Sequence, residues 1–325
     1  MFDTSPQFHD YPQVELFTQY DCEIVSSEMP SGASWLANCL LELDVALWKP
    51  WGADLRGDWR QRGGRRYRYD RSDEAWRRLL PSLQHGREFA FRATPVPRLT
   101  HAWPATYADP PRTILFVRDP RDALYSFWQR ARRVGLAPES QPFAEFVAQP
   151  WFHYPLSRVD FLALWLRAWR HALAERDHRM LRFEDYRADA AATLRRALGF
   201  LELDVDEAAQ KRAVAASDFE VARHAEQQLI ATGTLSAQFN RAGRADEWRE
   251  RFDAGMHAAL GARFASVNAW LGYAPPPSCT ESSADPIAID IDTVLHAAQT
   301  PQWPPPRAAR LKRWLIAASM DAIPA

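Results

Sequence analysis

Short apolar runs alternate with longer stretches of helical periodicity along the chain, and this alternation predicts a parallel α/β sheet. Strands that are buried on both faces of such a sheet read as short, continuous apolar runs. The runs that fit this pattern are CEIVSS (22–27), EFAFRA (88–93), TILFV (113–117) and RMLRF (179–183). These four runs are the predicted strands.

Helices are predicted between and after these runs, because apolar residues there recur every three to four positions. One of them opens with Pro120 at a first-turn position, where proline is favoured. The predicted helices cover residues 34–47, 120–133, 193–203 and 251–271, with a further helix whose apolar face carries Phe161, Leu164, Trp165, Ala168 and Trp169. The fold class that follows is α/β, with a P-loop-like parallel sheet flanked by helices.

The segment APPPSCTESSADP after Tyr273 has the composition of a linker. It divides a predicted α/β domain, residues 1–274, from a C-terminal helical extension, residues 275–325. Two short helices are predicted in the extension, at 289–298 and 307–320. The second is basic on one side and apolar on the other, which fits a helix packed on the domain or one lying on a membrane surface. We favour the packed helix.

Charge and cysteine content narrow the classes of partner. The 325 residues include 40 basic and 41 acidic side chains, so the overall charge favours neither a nucleic acid nor a membrane surface as partner. Three cysteines form no CxxC pair and no metal-ligand cluster, which fits a reducing cytoplasm and predicts no metal site. The N-terminus lacks the basic start and apolar stretch of a signal peptide, and no apolar run is long enough to span a membrane.

Residues 28–35 read EMPSGASW and stand between a predicted strand and a predicted helix. Backbone N–H groups at a helix N-terminus carry partial positive charge and hold phosphate groups well. Gly32 would let the backbone approach an anion closely, and Ser31 and Ser34 would add hydroxyl donors. The stretch is not a Walker A motif, because the GK[ST] ending is missing. By itself it fits a phosphate-binding loop or an ordinary serine-capped helix.

A second stretch, TILFVRDPRDALYSFWQR (113–130), runs from a predicted buried strand into Arg118 and then into a helix. Arg118 therefore lies at the carboxyl end of a strand, where open α/β sheets bind ligands. Ser126 follows about two helical turns later. An arginine and a serine so placed would grip a phosphate, the arginine bidentately. The alternative is that Arg118 pairs structurally with Asp122.

A third stretch, FNRAGRADEWRERF (239–252), places Arg241 and Gly243 in a polar loop ahead of Trp248. This arrangement predicts another anion contact, followed by an anchored helix. The alternative is a surface loop that ends in a helix cap at Asp246.

Together these stretches resemble the motifs of sulfotransferases that use 3′-phosphoadenosine 5′-phosphosulfate (PAPS). EMPSGASW is similar to the family's YPKSGTTW, RDPRDALYS to RNPKDxxxS, and FNRAGRADEWRERF to FxRKGxxGDWxxxF without a gap. LRFEDYRADAAATLRRALGFLEL (181–203) resembles the family's FYEDLxxDPxxxLxxLxxFL, and ASDFEV (216–221) resembles its TSF element. The likeness covers residues 20–273, with the motifs in the family's order.

The resemblance implies one nucleotide held at two separate phosphate sites. The residues that would cradle the 5′-phosphate are Ser31, Gly32, Ala33 and Ser34. The residues that would hold the 3′-phosphate are Arg118, Ser126, Arg241 and Gly243. Trp35 would stack on or beside the adenine, and Ser217 and Phe219 would lie near it.

The resemblance also implies a general base. VPRLTHAWP (96–104) is similar to the family's KTHLP segment, whose histidine accepts the proton of the attacking hydroxyl. His101 is the matching residue. A neutral imidazole with a pKa of about 6.5 suits that task.

Two positions depart from the family pattern at the reacting end of the nucleotide. Pro30 stands where the family has a loop lysine that stabilises the leaving phosphate oxygen, and Leu99 stands where it has the lysine before TH. Missing positive charge there would slow the transfer by orders of magnitude. The helix N-terminus would carry part of the load. Arg98 or an arginine from residues 56–71 is the candidate replacement, although adjacent residues of a strand, such as Arg98 and Leu99, face opposite sides.

Residues 48–76 interleave tryptophans and tyrosines with seven arginines. Such a mixture would line a groove for a sugar, an aromatic ring or an acidic acceptor. It would also suit RNA, although the balanced charge and the sulfotransferase motifs argue against that. A solvated loop and helix is the remaining alternative.

The predicted protein is a cytoplasmic sulfotransferase that moves a sulfuryl group from its cosubstrate PAPS to a hydroxyl of a small-molecule or glycan acceptor. Its predicted partners include no nucleic acid and no membrane, and a homodimer is left open. Two alternatives stay open as well. One is a catalytically silent nucleotide-binding protein, and the other is an ATP-dependent kinase, which the missing P-loop lysine disfavours.

Overall fold

A four-stranded parallel sheet forms the centre of the molecule, in the order β4-β1-β5-β6. In this sheet β1 is Cys22–Val25, β4 is Pro97–Thr100, β5 is Arg112–Val117 and β6 is Asp177–Arg182. Two further short strands, β2 (Arg60–Arg62) and β3 (Arg65–Tyr67), pair antiparallel with each other. The computed structural model describes residues 21–47, 60–62, 65–67, 80–84, 89–92, 94–105, 112–152, 154–233, 235, 237–273, 286–298 and 305–320.

Fourteen helices are defined within the described residues. The first seven are α1 Ala33–Glu42, α2 Pro81–Gln84, α3 Pro120–Arg133, α4 Phe143–Ala148, α5 Arg158–Leu173, α6 Phe183–Ala188 and α7 Ala190–Phe200. The others are α8 Glu207–Ala216, α9 Phe219–Ala231, α10 Glu247–Arg251, α11 Ala254–Arg263, α12 Ala265–Leu271, α13 Ile291–Ala298 and α14 Pro305–Met320. The predicted α/β class, a parallel sheet flanked by helices, is confirmed.

The order of the strands creates a crevice at one edge of the sheet. The chain passes from β1 to β4 on one side, then crosses to β5 on the other side of β1, so the direction of winding changes between β1 and β5. Ligands bind outside the carboxyl ends of the strands at such a switch point. Val25 of β1 pairs with Thr100 of β4 and with Leu115 of β5, so the segments that follow all three strands meet there.

One strand lies where the apolar pattern did not place it. Residues 89–92 of the predicted strand 88–93 are not in a strand, and β4 takes the place beside β1 instead. The pattern missed β4 because PRLT contains Arg98, which is fully buried with a guanidinium nitrogen 3.5 Å from the carboxylate of Glu23 on β1. Arg98 gives the sequence of this strand a polar character, and the ion pair with Glu23 allows the residue to be buried.

The sheet separates two hydrophobic cores. On one face, Ile24, Ile114 and Phe116 of the strands pack with α1 and α7. On the other face, Val25 and Leu115 pack with α3, α5 and the helices near the C-terminus. Both faces are therefore covered, as a parallel sheet requires.

The C-terminal helix α14 packs on the domain, as favoured from its sequence. Its apolar side is buried against α5, with Leu311, Trp314, Leu315 and Ala318 all between 0% and 2% exposed. Arg167 of α5 donates to the carbonyl of Ala318 over 3.4 Å. The boundary at residue 274 stays a prediction. Among the described residues, no helix has the length and apolarity needed to cross a membrane.

Candidate active site

A cleft opens at the carboxyl ends of β1, β4 and β5. Its interior offers about 200 Å³ to molecules the size of water, and it is open to solvent on one side. All twelve residues predicted for the site line it: Ser31, Gly32, Ala33, Ser34, Trp35, His101, Arg118, Ser126, Ser217, Phe219, Arg241 and Gly243. The fold thus brings residues from five distant segments to one place, while their individual roles stay predictions.

The loop after β1 presents the start of α1 to the cleft. Gly32 occupies the N-cap of α1 with φ +88°. No side chain caps this helix, and its first turn contains no acidic residue. The serine-capped alternative is therefore wrong. The uncapped amides of α1 carry the partial positive charge that suits a phosphate.

Gly32 also fits closely against the next motif. A Cβ at this position would lie 2.6 Å from Cδ2 of Phe183, the first residue of α6. The guanidinium of Arg118 lies 4.4 Å from the centre of the same ring. Phe183 therefore sets the spacing between the loop and Arg118.

Trp35 has one face already covered. Its ring stacks on Tyr186 with 4.1 Å between centroids and 25° between planes, and it is 6% exposed. Its Nε1–H has no hydrogen-bond partner among the described residues. An adenine in contact with Trp35 would meet its edge or its remaining face.

Arg118 follows β5 directly and forms the predicted pair with Asp122, while its phosphate contact stays a prediction. It lines the cleft, and its Nε and Nη2 also donate to the carboxylate of Asp122 over 2.9 and 2.7 Å. Burial raises the pKa of Asp122, and the charge of Arg118 opposes this rise. Nη2 donates in addition to the carbonyl of Arg244, over 2.6 Å, which ties the second motif to the third.

Arg241 and Gly243 approach from the loop between α9 and α10. Arg241 forms an ion pair with Glu247, while its buried Nε has no hydrogen-bond partner among the described residues. Gly243 has φ +59°, and a Cβ there would lie 2.8 Å from Cδ2 of Phe219. The loop therefore leaves one donor of Arg241 without a hydrogen bond in the described part of the chain and packs closely on Phe219.

Two buried polar side chains position these loops. Asn38 of α1 donates to the hydroxyl of Ser217 over 2.8 Å, which joins the first motif to residues 216–221. Glu226 of α9, fully buried, accepts from the backbone N–H groups of Phe239 and Asn240 over 3.1 and 2.8 Å. Neither residue was predicted, because a single polar side chain on an amphipathic helix does not form a recognisable sequence motif.

His101 comes directly after β4 and lies against the end of β1. Its Nδ1 is 2.9 Å from the carbonyl oxygen of Ser26 and 3.1 Å from the Ser26 hydroxyl. A carbonyl only accepts, so Nδ1 carries the hydrogen and Nε2 of the neutral ring is a base. Trp165 of α5 donates to the carbonyl of His101 over 3.2 Å and so fixes its backbone.

The cleft also contains a charged pair that the sequence analysis did not identify. Arg130 and Glu28 both line it, and Nη2 of Arg130 donates to the carbonyl of Glu28 over 3.4 Å. The Glu28 side chain is open to the solvent of the cleft, yet the surrounding walls raise its pKa to about 7, against the opposing charge of Arg130. Arg130 stands one helical turn after Ser126, and this spacing was the available signal.

Of the candidate replacements for the missing lysine, the described one, Arg98, does not reach the cleft. Arg98 is wrong, because its side chain is buried beside Glu23 and Thr100 within the sheet. Leu99 lines the cleft instead, since adjacent residues of a strand face opposite sides. The side chains of residues 56–71, and nearly all of the predicted acceptor segment 48–76, lie outside the described residues.

Within the part of the chain that the structure describes, no group of three or more His, Cys, Asp or Glu side chains is arranged to hold a metal ion. The positive charge of the described cleft comes from arginines and helix amides.

Known proteins share this architecture. A family model described as "Sulfotransferase domain" matches residues 83–269, more than half of the chain. A retinol dehydratase, crystallised with androsterone and the inactive cofactor PAP, has 20% sequence identity and a TM-score of 0.50 over 79% of this chain and 83% of its own. The mouse sulfotransferase SULT7A1, complexed with PAP, has 15% identity and a TM-score of 0.50 over 80% of this chain and 91% of its own. At these identities the structures show a shared fold. No curated protein matches the chain.

Proposed function

The chain belongs to the sulfotransferase family, and we propose that it transfers a sulfuryl group from PAPS to the hydroxyl of a small-molecule acceptor, with His101 as general base. As a member of this family it is a PAPS-dependent enzyme. The observation that supports the residue assignment is that the uncapped amides of α1 and, separately, Arg118 and Arg241 line one cleft.

The two sites match the two ends of PAPS. The amides at the start of α1, with Ser31 and Ser34, would hold the 5′-phosphosulfate end. Arg118, Ser126 and Arg241 would hold the 3′-phosphate, and the unpartnered Nε–H of Arg241 supplies a charge-assisted donor for it. ATP has no 3′-phosphate, so a kinase would leave this second site without a purpose.

The reaction proceeds by in-line attack at sulfur. The acceptor oxygen forms a bond to sulfur while the bond from sulfur to the bridging oxygen of the 5′-phosphate breaks. The electron pair of the broken bond stays on that oxygen, which leaves 3′-phosphoadenosine 5′-phosphate (PAP). The proton of the acceptor hydroxyl passes to Nε2 of His101, the basic nitrogen of the tautomer that Ser26 selects.

The acceptor is proposed as a small molecule because retinol dehydratase, which shares the fold, was crystallised with androsterone. A glycan hydroxyl would undergo the same chemistry. We also propose a cytoplasmic location, which the buried free thiols of Cys22 and Cys39 support. A homodimer stays a prediction.

Release of PAP from PAPS, with water or an added hydroxyl compound as acceptor, tests this function. We expect His101→Ala to slow the release about 100-fold or more, because a positioned base contributes that much, while PAP affinity changes little. His178→Ala removes an exposed histidine on β6 and should leave the rate unchanged. A His101→Ala protein as active as the unmodified protein would remove His101 from the mechanism. A protein that binds PAP but releases none from PAPS would favour the silent nucleotide-binding alternative.

A further inference from the structure

Sulfuryl transfer creates a requirement that the loop after β1 does not meet. As the bond to sulfur breaks, negative charge builds on the bridging oxygen at the start of α1. Charged or hydrogen-bonding groups aimed at such an oxygen typically contribute a factor of about 100 to 1,000 in rate. Pro30, next to Ser31 in this loop, has neither a charged side chain nor a backbone N–H.

Three arginines line the described part of the cleft, and they differ in the segments that they contact. Arg118 is bound to Asp122, and Arg241 is bound to Glu247. Both ion pairs hold their arginines at the end of the cleft assigned to the 3′-phosphate. Neither arginine contacts the loop of residues 26–30 through any described hydrogen bond.

Arg130 is the arginine that contacts that loop. It projects from α3 one turn beyond Ser126, and its Nη2 donates to the carbonyl of Glu28 over 3.4 Å. Its guanidinium carbon also lies 5.8 Å from the centre of the Phe239 ring in the third motif. The head group therefore stands between the first and third motifs.

Arg130 shares this wall of the cleft with the carboxyl of Glu28. Both residues line the cleft, and the charge of Arg130 opposes the rise in the Glu28 pKa that desolvation causes. Of the two side chains, the guanidinium is the one that would attract and donate to an incoming phosphosulfate.

We propose that Arg130 is a catalytic residue that donates to the transferring sulfuryl group and its bridging oxygen, in place of a cation on the loop. The inference rests on the proposed function. In this step the S–O bond to the 5′-phosphate breaks, its electron pair moves to the bridging oxygen, and the guanidinium of Arg130 stabilises the charge formed there. The acceptor proton still passes to His101, and Arg130 stays protonated throughout.

The experiment measures PAP release from PAPS in water, so that no acceptor needs to be known. Arg130→Gln should slow the release about 100-fold, while the Kd for PAP, from calorimetry, changes less than threefold. Arg130→Lys should recover part of the rate. Millimolar guanidinium should accelerate Arg130→Gln and leave His101→Ala unaffected. Arg132→Gln, which removes an arginine on the same helix outside the cleft lining, should match the unmodified protein.

The possible results distinguish a wrong role for Arg130 from a wrong proposed function. If Arg130→Gln releases PAP at the unmodified rate, Arg130 is not catalytic and the sulfotransferase assignment stands. If PAP affinity and rate fall together by the same factor, Arg130 only binds nucleotide and the inference is overturned. If the unmodified protein does not bind PAP at all, the proposed function fails first. Thermal unfolding of Arg130→Lys and Arg130→Gln confirms that both variants compared are folded.

Discussion

At the scale of single residues, the cleft depends on contacts with very little free space. Gly32 combines a left-handed backbone conformation, φ +88°, with direct contact to the Phe183 ring. The same ring lies under the guanidinium of Arg118. A change at Gly32 therefore affects the phosphate loop and the arginine of the second motif together.

Gly32→Ala should destabilise the protein by about 2–5 kcal/mol, the sum of left-handed strain and overpacking against Phe183. Gly135 provides the matched control. It has a similar φ, +74°, but a Cβ there would meet nothing within 4 Å. Gly135→Ala should therefore cost only about 1–2 kcal/mol, from strain alone. Urea unfolding measures both values, and equal losses would show that the contact with Phe183 has no energetic weight.

The residues that sequence motifs identified and those they missed differ in kind. Arg118, Arg241 and His101 stand in short motifs with fixed spacing, so a family pattern could place them. Arg130 was not predicted because only its spacing of four from Ser126 marked it. Arg98 was predicted wrongly, since nothing in PRLT reveals that Glu23, some 75 positions away, neutralises it.

At the scale of elements, helix boundaries followed the local capping chemistry. The predicted helix 120–133 is α3 itself, because Asp119 accepts from the N–H of Arg121 and Pro120 opens the first turn. The predicted helix 251–271 was wrong as a single element. Asp253 accepts from the N–H of Met256 and starts α11 anew, and α12 follows from Ala265. Side-chain caps inside a long amphipathic stretch were the overlooked signal.

The unfolding free energy of point variants also tests the packing of α14 on α5. Trp314 is 2% exposed, and its truncation in Trp314→Ala should cost about 3–5 kcal/mol of unfolding free energy. Ile316 is on the same helix but 41% exposed, so Ile316→Ala should cost less than about 1 kcal/mol. If both variants unfold like the unmodified protein, α14 is not held on the domain, and its apolar side is available to a membrane.

At the scale of the whole molecule, topology explains why motifs so far apart in sequence form one site. The reversal of winding between β1 and β5 brings the loop of residues 26–32, His101 and Arg118 to adjacent strand ends. The loop before α10 reaches the same crevice through the contact of Arg118 with the carbonyl of Arg244. Periodicity predicted the class of this sheet, whereas the order of its strands needed the structure, because strand order depends on contacts that no local pattern encodes.

The proposed function requires that one nucleotide is bound at both of its phosphate ends. Calorimetric titration with PAP and with adenosine 5′-phosphate, which lacks only the 3′-phosphate, tests this most directly. Two charge-assisted hydrogen bonds of about 1.5 kcal/mol each predict that PAP binds about 100-fold more tightly. In Arg241→Gln, which removes one of the two bonds, the preference should fall to about tenfold. Equal affinity of the unmodified protein for the two nucleotides would contradict the proposed binding site for the 3′-phosphate.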